Sequence, residues 1–221
     1  MVMIDRAKGR KWIHNSGMSV LLLLLITLVF VVPVVATGPT MHLILDILLA
    51  LILVSGVVAV AEHRKLAIAL ALLSTIVIAM AWIEWFVPAS TAPELRRLST
   101  LGAFLLLAIA VGINVFASGH AIGDRVFGAV VLYLLLGLIW AVAYQLVDLV
   151  SPGAFAGHSE AAVGLADWAY FSFVTLTTVG YGDITPVALG ARSLAMLEAL
   201  VGQLYPAVII ARLVSLQVSS Q

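Results

Sequence analysis

Thr177-Thr178-Val179-Gly180-Tyr181-Gly182-Asp183 is a polar, glycine-rich stretch set between two long apolar runs. Gly180 and Gly182 alternate with larger residues. Glycine enters unusual φ/ψ regions without a Cβ penalty, so successive carbonyls can be turned to the same side. A row of carbonyl oxygens facing a narrow axis can replace the hydration shell of a monovalent cation. The chemistry this stretch suggests is coordination and passage of an ion rather than bond making. Little else in the chain competes. The five histidines show no His-x-x-His or Glu-x-x-His spacing, and there are no cysteines. No phosphate-cradling or Gly-x-Ser-x-Gly sequence occurs. Thiolate metal sites and disulfides are excluded, and neither an enzyme nor a cofactor beyond a permeant ion is expected.

The longer stretch Tyr170-Phe-Ser-Phe-Val-Thr-Leu-Thr-Thr-Val-Gly-Tyr-Gly-Asp-Ile-Thr-Pro186 resembles the pore loop of the tetrameric potassium channels, flanks included. Those channels use four loops reading Thr-Val-Gly-Tyr-Gly as a selectivity filter. The resemblance implies that the carbonyls of Thr178, Val179, Gly180 and Tyr181, with the Thr178 hydroxyl, line K⁺ sites, and that Gly182 completes the filter. It implies that Val179 and Tyr181 pack outward, and that Asp183 braces the outer mouth against the pore helix. The family's usual brace partner is a tryptophan; Tyr170 stands at that position, so a phenol O–H replaces an indole N–H. Val174 stands where some relatives carry a glutamate behind the filter. Counting from Arg192, Gly202 falls on the inner helix's hinge position and Gln203 on a cavity-lining one. Pro206 follows four residues later. Its ring clashes with the carbonyl of residue i−4 and removes a helix hydrogen bond, so the flexible residue and the disrupted bond coincide. One loop cannot encircle an ion and no internal repeat is evident, so a closed homotetramer is the implied assembly.

The elements that must hold this loop follow from composition. Of 221 residues 63% are hydrophobic and 10% charged, with mean hydropathy +1.19. An ordinary soluble domain has about 25% charged residues, so the chain reads as an integral membrane protein. Zero net charge argues against nucleic acid as a partner. Lipid offers no hydrogen bonds to bare backbone, so long apolar runs become helices. Six are long enough: Met18–Ala36, His42–Ala61, Leu66–Val87, Leu98–Ser118, Arg125–Val147 and Val187–Leu216. The first follows basic residues as a signal peptide would, but it is long and lacks a small-x-small cleavage site, so it reads as a retained helix. The expected fold is all-α: six transmembrane helices, with a re-entrant pore helix, Leu165–Thr177, and a filter loop between the fifth and sixth. Asp167 suits the positive end of the pore helix. Ser151-Pro152-Gly153 and the small, polar Ala154–Glu160 stretch read as an exposed turret.

Arg6, Lys8, Arg10, Lys11, Arg64, Lys65, Arg125 and Arg212 fall on one side of such a topology; only Arg96, Arg97 and Arg192 fall on the other. The excess of basic residues places both termini in the cytoplasm and opens the filter loop outward. A prokaryotic inner membrane is the expected location. Six helices with one pore loop resemble the voltage-gated plan, yet Leu98–Ser118 contains no basic residue. Residues 1–118 are therefore expected to form a four-helix, voltage-sensor-like membrane domain without gating charges, and 119–221 the pore domain. The expected function is passive, K⁺-selective flux with little voltage dependence. The alternative, from another class, is a non-conducting accessory or receptor subunit.

Glu198 lies deep in the sixth run, where a free carboxylate is expensive. It must face water, accept hydrogen bonds or carry a proton. Gln203 projects about 140° from it around the helix. With Gln203 lining the cavity, Glu198 is expected to turn toward the pore helix near Thr177, supporting the filter's base. A cavity-facing anion is the rival reading. Asp46 and Glu84 are read as hydrated interfacial acids.

Overall fold

The computed structural model describes residues 17–35, 40–61, 63–86, 93–116, 122–157 and 164–218. The N-terminal basic cluster, Gly38-Pro39, His158 and Glu160 lie outside them. Helix α1 covers 17–35 and contains a π-helical turn, Thr27–Val31, closed by the Val32 N–H on the Thr27 carbonyl. Pro33 has no N–H, and its ring crowds the carbonyl four residues back; a wider turn just ahead of it relieves both. Then follow α2 (Thr40–Ala59), α3 (Arg64–Phe86), α4 (Pro93–Phe116), α5 (Ile122–Val150), α6 (Leu165–Leu176) and α7 (Leu189–Val218). Two short strands, β1 (Phe155–Ala156) and β2 (Thr185–Pro186), flank α6.

Among the described residues five helices are long and apolar enough to cross a membrane: those containing Gly17–Val34, Arg64–Ile83, Glu94–Ile113, Arg125–Val150 and Leu189–Arg212. The second expected span contributes a shorter apolar helix, Leu43–Ala59. Helix α6 has 12 residues, roughly 18 Å at 1.5 Å per residue, too short to span.

The chain divides into two compact units, residues 1–135 and 136–221, with the boundary inside α5. In the first, α2 packs on α3, and α4 on both. Leu21, Leu25, Ile52, Leu53, Leu70, Phe104 and Leu107 are buried, while Leu72, Trp82 and Ile109 are turned outward. Exposed apolar side chains suit lipid rather than water. A Cβ on Gly56 would lie 2.8 Å from Leu107, so the glycine admits that side chain. Hydroxyls return to their own helices, Thr75 to the Ala71 carbonyl at 2.8 Å and Ser55 to Ile52 at 2.9 Å. Asp46, read as simply hydrated, is ion-paired with Arg96 near the starts of α2 and α4.

In the second unit β1 pairs antiparallel with β2, Phe155 opposite Pro186 and Ala156 opposite Thr185. This corrects the exposed turret at its near end, where Ala154 and Phe155 are buried. Phe155 is apolar and sits against Tyr144, Trp168 and Phe171, so it has more to gain from a ring cluster than from solvent. Gly157 has φ 90°, and a Cβ there would lie 1.8 Å from the Asp183 carbonyl. The turret thus closes directly onto the residue after the glycine stretch.

Candidate functional site

Helix α6 begins where Asp167 Oδ2 accepts the Gly164 N–H at 2.9 Å, half of a capping box. It is seated on α5 at Gly137, whose missing Cβ leaves room for the Phe173 ring, 2.5 Å from where that carbon would be. At its other end the chain folds back on itself. The amide of Thr177 donates to the Phe173 carbonyl (3.0 Å), that of Thr178 to Thr175 (2.9 Å), and those of Val179 and Gly180 to Val174 (2.9 and 3.3 Å). A helix leaves its last carbonyls without partners inside the helix; here the next four amides take three of them.

That return fixes the geometry of the loop. Positive φ occurs at Thr178 (60°), Gly180 (58°) and Gly182 (81°), but not at Val179 or Tyr181. Positive φ thus recurs at every second residue from 178 to 182. The amides of 178–180 are spent on the end of α6, and among the described residues no backbone hydrogen bond ends on the carbonyls of Thr178, Val179, Gly180 or Tyr181. Val179 and Tyr181 are 53% and 71% exposed in the single chain.

Beside the loop, the Tyr170 phenol donates to Asp183 Oδ2 at 2.7 Å, and Asp183 Oδ1 accepts the Ile184 N–H at 3.0 Å. The Tyr170 bond, with the backbone N–H, holds the Asp183 carboxyl below the usual carboxylate range, against a smaller upward push from desolvation.

Glu198 is fully buried. It turns toward α6, but to Ser172 rather than Thr177. Its Oε1 lies 2.5 Å from Ser172 Oγ, and its Oε2 accepts the Tyr144 phenol of α5. The Ser172 hydroxyl also lies 2.7 Å from the Gly137 carbonyl, so one proton serves two acceptors. Thr177 is not a partner because its hydroxyl is spent on the Phe173 carbonyl at 2.6 Å. Tyr144 is held in turn by rings: Phe171 at 4.8 Å and Phe155 at 5.6 Å edge-on, with Trp140 and Trp168 each at 6.4 Å.

Four residues beyond Glu198, a Cβ on Gly202 would lie 1.9 Å from the Leu176 carbonyl. Gly202 is thus a contact point between α7 and the end of α6. Gln203 Nε2 donates to Thr178 Oγ1 at 3.0 Å. Helix α7 remains helical on both sides of Pro206. The site therefore brings together Thr177, Thr178, Val179, Gly180, Tyr181, Gly182, Asp183, Tyr170, Glu198, Gly202 and Gln203, with Pro206 one turn beyond Gly202. Sequence reasoning missed Tyr144, Ser172, Gly137 and Gly157. The available signal was a tyrosine and a serine inside otherwise apolar runs, at a depth where a buried acid needs donors.

A family model described as "Ion channel" matches residues 126–218. Protein LctB of Bacillus caldotenax is 38% identical over 96 residues, 41% of this chain and 71% of that protein. Protein LctB of Geobacillus stearothermophilus is 48% identical over 64 residues, 29% of this chain and 46% of that protein. Two pore potassium channel c of Oryza sativa subsp. japonica is 36% identical over 70 residues, 32% of this chain and 14% of that protein. No solved structure gives a significant match.

Proposed function

The chain belongs to the family of Protein LctB and carries an ion channel domain over 126–218, and on that premise we propose that it is a potassium-selective channel. Dehydrated K⁺ passes down its electrochemical gradient through a pore built from four copies; no bond is made or broken. The carbonyls of Thr178, Val179, Gly180 and Tyr181, with the Thr178 hydroxyl, replace the ion's hydration shell. The observation that carries this reading is the left-handed φ at alternate residues 178, 180 and 182. The rice relative, a potassium channel by name, supports the choice of ion.

In this reading each subunit crosses the bilayer six times with both termini cytoplasmic, as the distribution of basic residues supports. Residues 1–118 form the four-helix membrane domain and 119–221 the pore. Val179 and Tyr181, exposed in one chain, are covered by neighbouring copies. Tyr170 and Asp183 brace the outer mouth, and Thr177 and Glu198 support the filter from behind. Gln203 faces the cavity, and Gly202 with Pro206 marks where the inner helix bends to open. Moving one charge through the whole field is worth about 2.3 kcal/mol per 100 mV. The helix Pro93–Phe116 carries Arg96 and Arg97 only in its first turn and none further in, so voltage has little to act on.

The test is assembly and flux together. The protein purified in mild detergent should run as a tetramer, and single K⁺-carrying currents should appear when that species is fused into planar bilayers. A tetramer that is electrically silent under every applied voltage and ionic gradient would return the chain to the accessory-subunit class.

A further inference from the structure

Thr178 is the one non-glycine residue with positive φ among the described residues. It is also β-branched, the side-chain class least suited to that region. Its amide is tied to the Thr175 carbonyl at 2.9 Å, and its side chain is held at one point, by Gln203 Nε2 at 3.0 Å. The neighbouring threonine takes the other course open to a hydroxyl, with Thr177 donating back to the Phe173 carbonyl at 2.6 Å. A hydroxyl has one proton and two lone pairs. Accepting a bond from Gln203 restrains the Thr178 hydroxyl and leaves it one further lone pair.

The backbone that carries Gln203 is held by its neighbours. Glu198 is bonded to Ser172 and Tyr144, and the Gly202 backbone lies against the Leu176 carbonyl. Residues 198 and 202 are one turn apart on the inner helix, as 172 and 176 are on the pore helix. The two helices are therefore joined at both ends of one turn, and Gln203 is the next residue.

We propose that Gln203 is a positioning residue that sets cation affinity at the inner mouth of the filter. Its amide presents the Thr178 oxygen as a ligand for a partly dehydrated cation, so the seating of the inner helix is read out as ion binding. This rests on the reading of residues 178–182 as a selectivity filter.

The test uses the full-length chain in liposomes, with internal Ba²⁺, a divalent cation close to K⁺ in radius, as the probe. Gln203→Leu keeps the side chain's bulk and removes the donor. It should weaken Ba²⁺ block roughly two- to tenfold, the size of one neutral hydrogen bond. In a Thr178→Val background the same substitution should add nothing, because the two residues act as one unit. Where a variant passes no current, the rise in Tm that Ba²⁺ gives the purified protein supplies the same comparison. Unchanged block in Gln203→Leu, or effects that add in the double variant, would overturn the proposal while leaving a selective pore intact. A wild-type pore that does not prefer K⁺ would remove the filter reading and this one with it.

Discussion

Helices α2–α4 and the second unit, residues 136–221, are both largely apolar, yet they are held together differently. In the first group hydroxyls bond to their own helices, and Asp46–Arg96 is a half-exposed ion pair near two helix starts. Packing there is between apolar side chains, with Gly56 admitting Leu107. In the second, polar groups reach across elements: Tyr144 and Ser172 to Glu198, Tyr170 to Asp183, Gln203 to Thr178. Glycines there are contact points, Gly137 for a ring, Gly157 and Gly202 for carbonyls. A loop that must hold carbonyls in a fixed array, as the proposed filter must, needs such cross-links.

The sharpest way to break this contrast is in the loop itself. Gly180→Ala places a Cβ at φ 58°, and L-residues in that region cost about 1–2 kcal/mol. Repeated in four copies around one axis, this should reduce K⁺ flux to background. A comparable glycine change in the other region, Gly102→Ala beside Leu73 (3.3 Å), should leave flux nearly intact.

Next in size is the buried acid. Glu198→Leu leaves the Tyr144 phenol without its acceptor and removes one of Ser172's two. It should destabilise the protein by about 1–3 kcal/mol, the cost of one unsatisfied buried group, read as a fall in Tm in detergent. Glu198→Gln keeps an oxygen for Tyr144 and an amide donor for Ser172, so it should retain most stability and conductance. A Gln variant that loses conductance while staying folded would indicate a cavity-facing anion instead.

A smaller effect is expected at the outer mouth. Asp183 is held below the ordinary carboxylate pKa chiefly by the Tyr170 bond. A group with a depressed folded pKa contributes its stabilisation fully above the ordinary value and loses it as pH falls through the lowered one. Wild-type current should therefore persist into external acid below the ordinary carboxylate range. Tyr170→Phe should move the onset of acid inhibition to higher pH; an unchanged onset would show that the bond does not control the mouth.

Smallest of all is the effect expected from the first group's charges. Arg96 and Arg97 lie near the start of α4 with no basic residue further in, so neutralising both should leave the conductance–voltage slope unaltered. A steep slope that flattens in that variant would give α4 a sensing role.

Most helices were legible in the sequence because hydropathy and the absence of water dictate them. Leu165–Leu176 emerged from its shortness and flanks. The loop at Thr178–Gly182 stood out through its resemblance to a known pore loop, and its two glycines both take positive φ. The contacts behind it were not. Nothing in Gly137 or Gly157 distinguishes a glycine that admits a ring or a carbonyl from one in open space such as Gly190. Glu198 announced that it needed donors, but whether Thr177 or Ser172 supplied one depended on Thr177 spending its proton on Phe173. The turret's polar composition hid Phe155, one apolar residue whose burial in a ring cluster decides where the segment lies.

The most direct test of the account is the reversal potential of purified protein in liposomes with K⁺ on one side and Na⁺ on the other. An array of carbonyls set by alternate left-handed residues at 178, 180 and 182 predicts reversal near the K⁺ equilibrium potential. Reversal near zero, with Na⁺ and K⁺ carrying equal current, would contradict it.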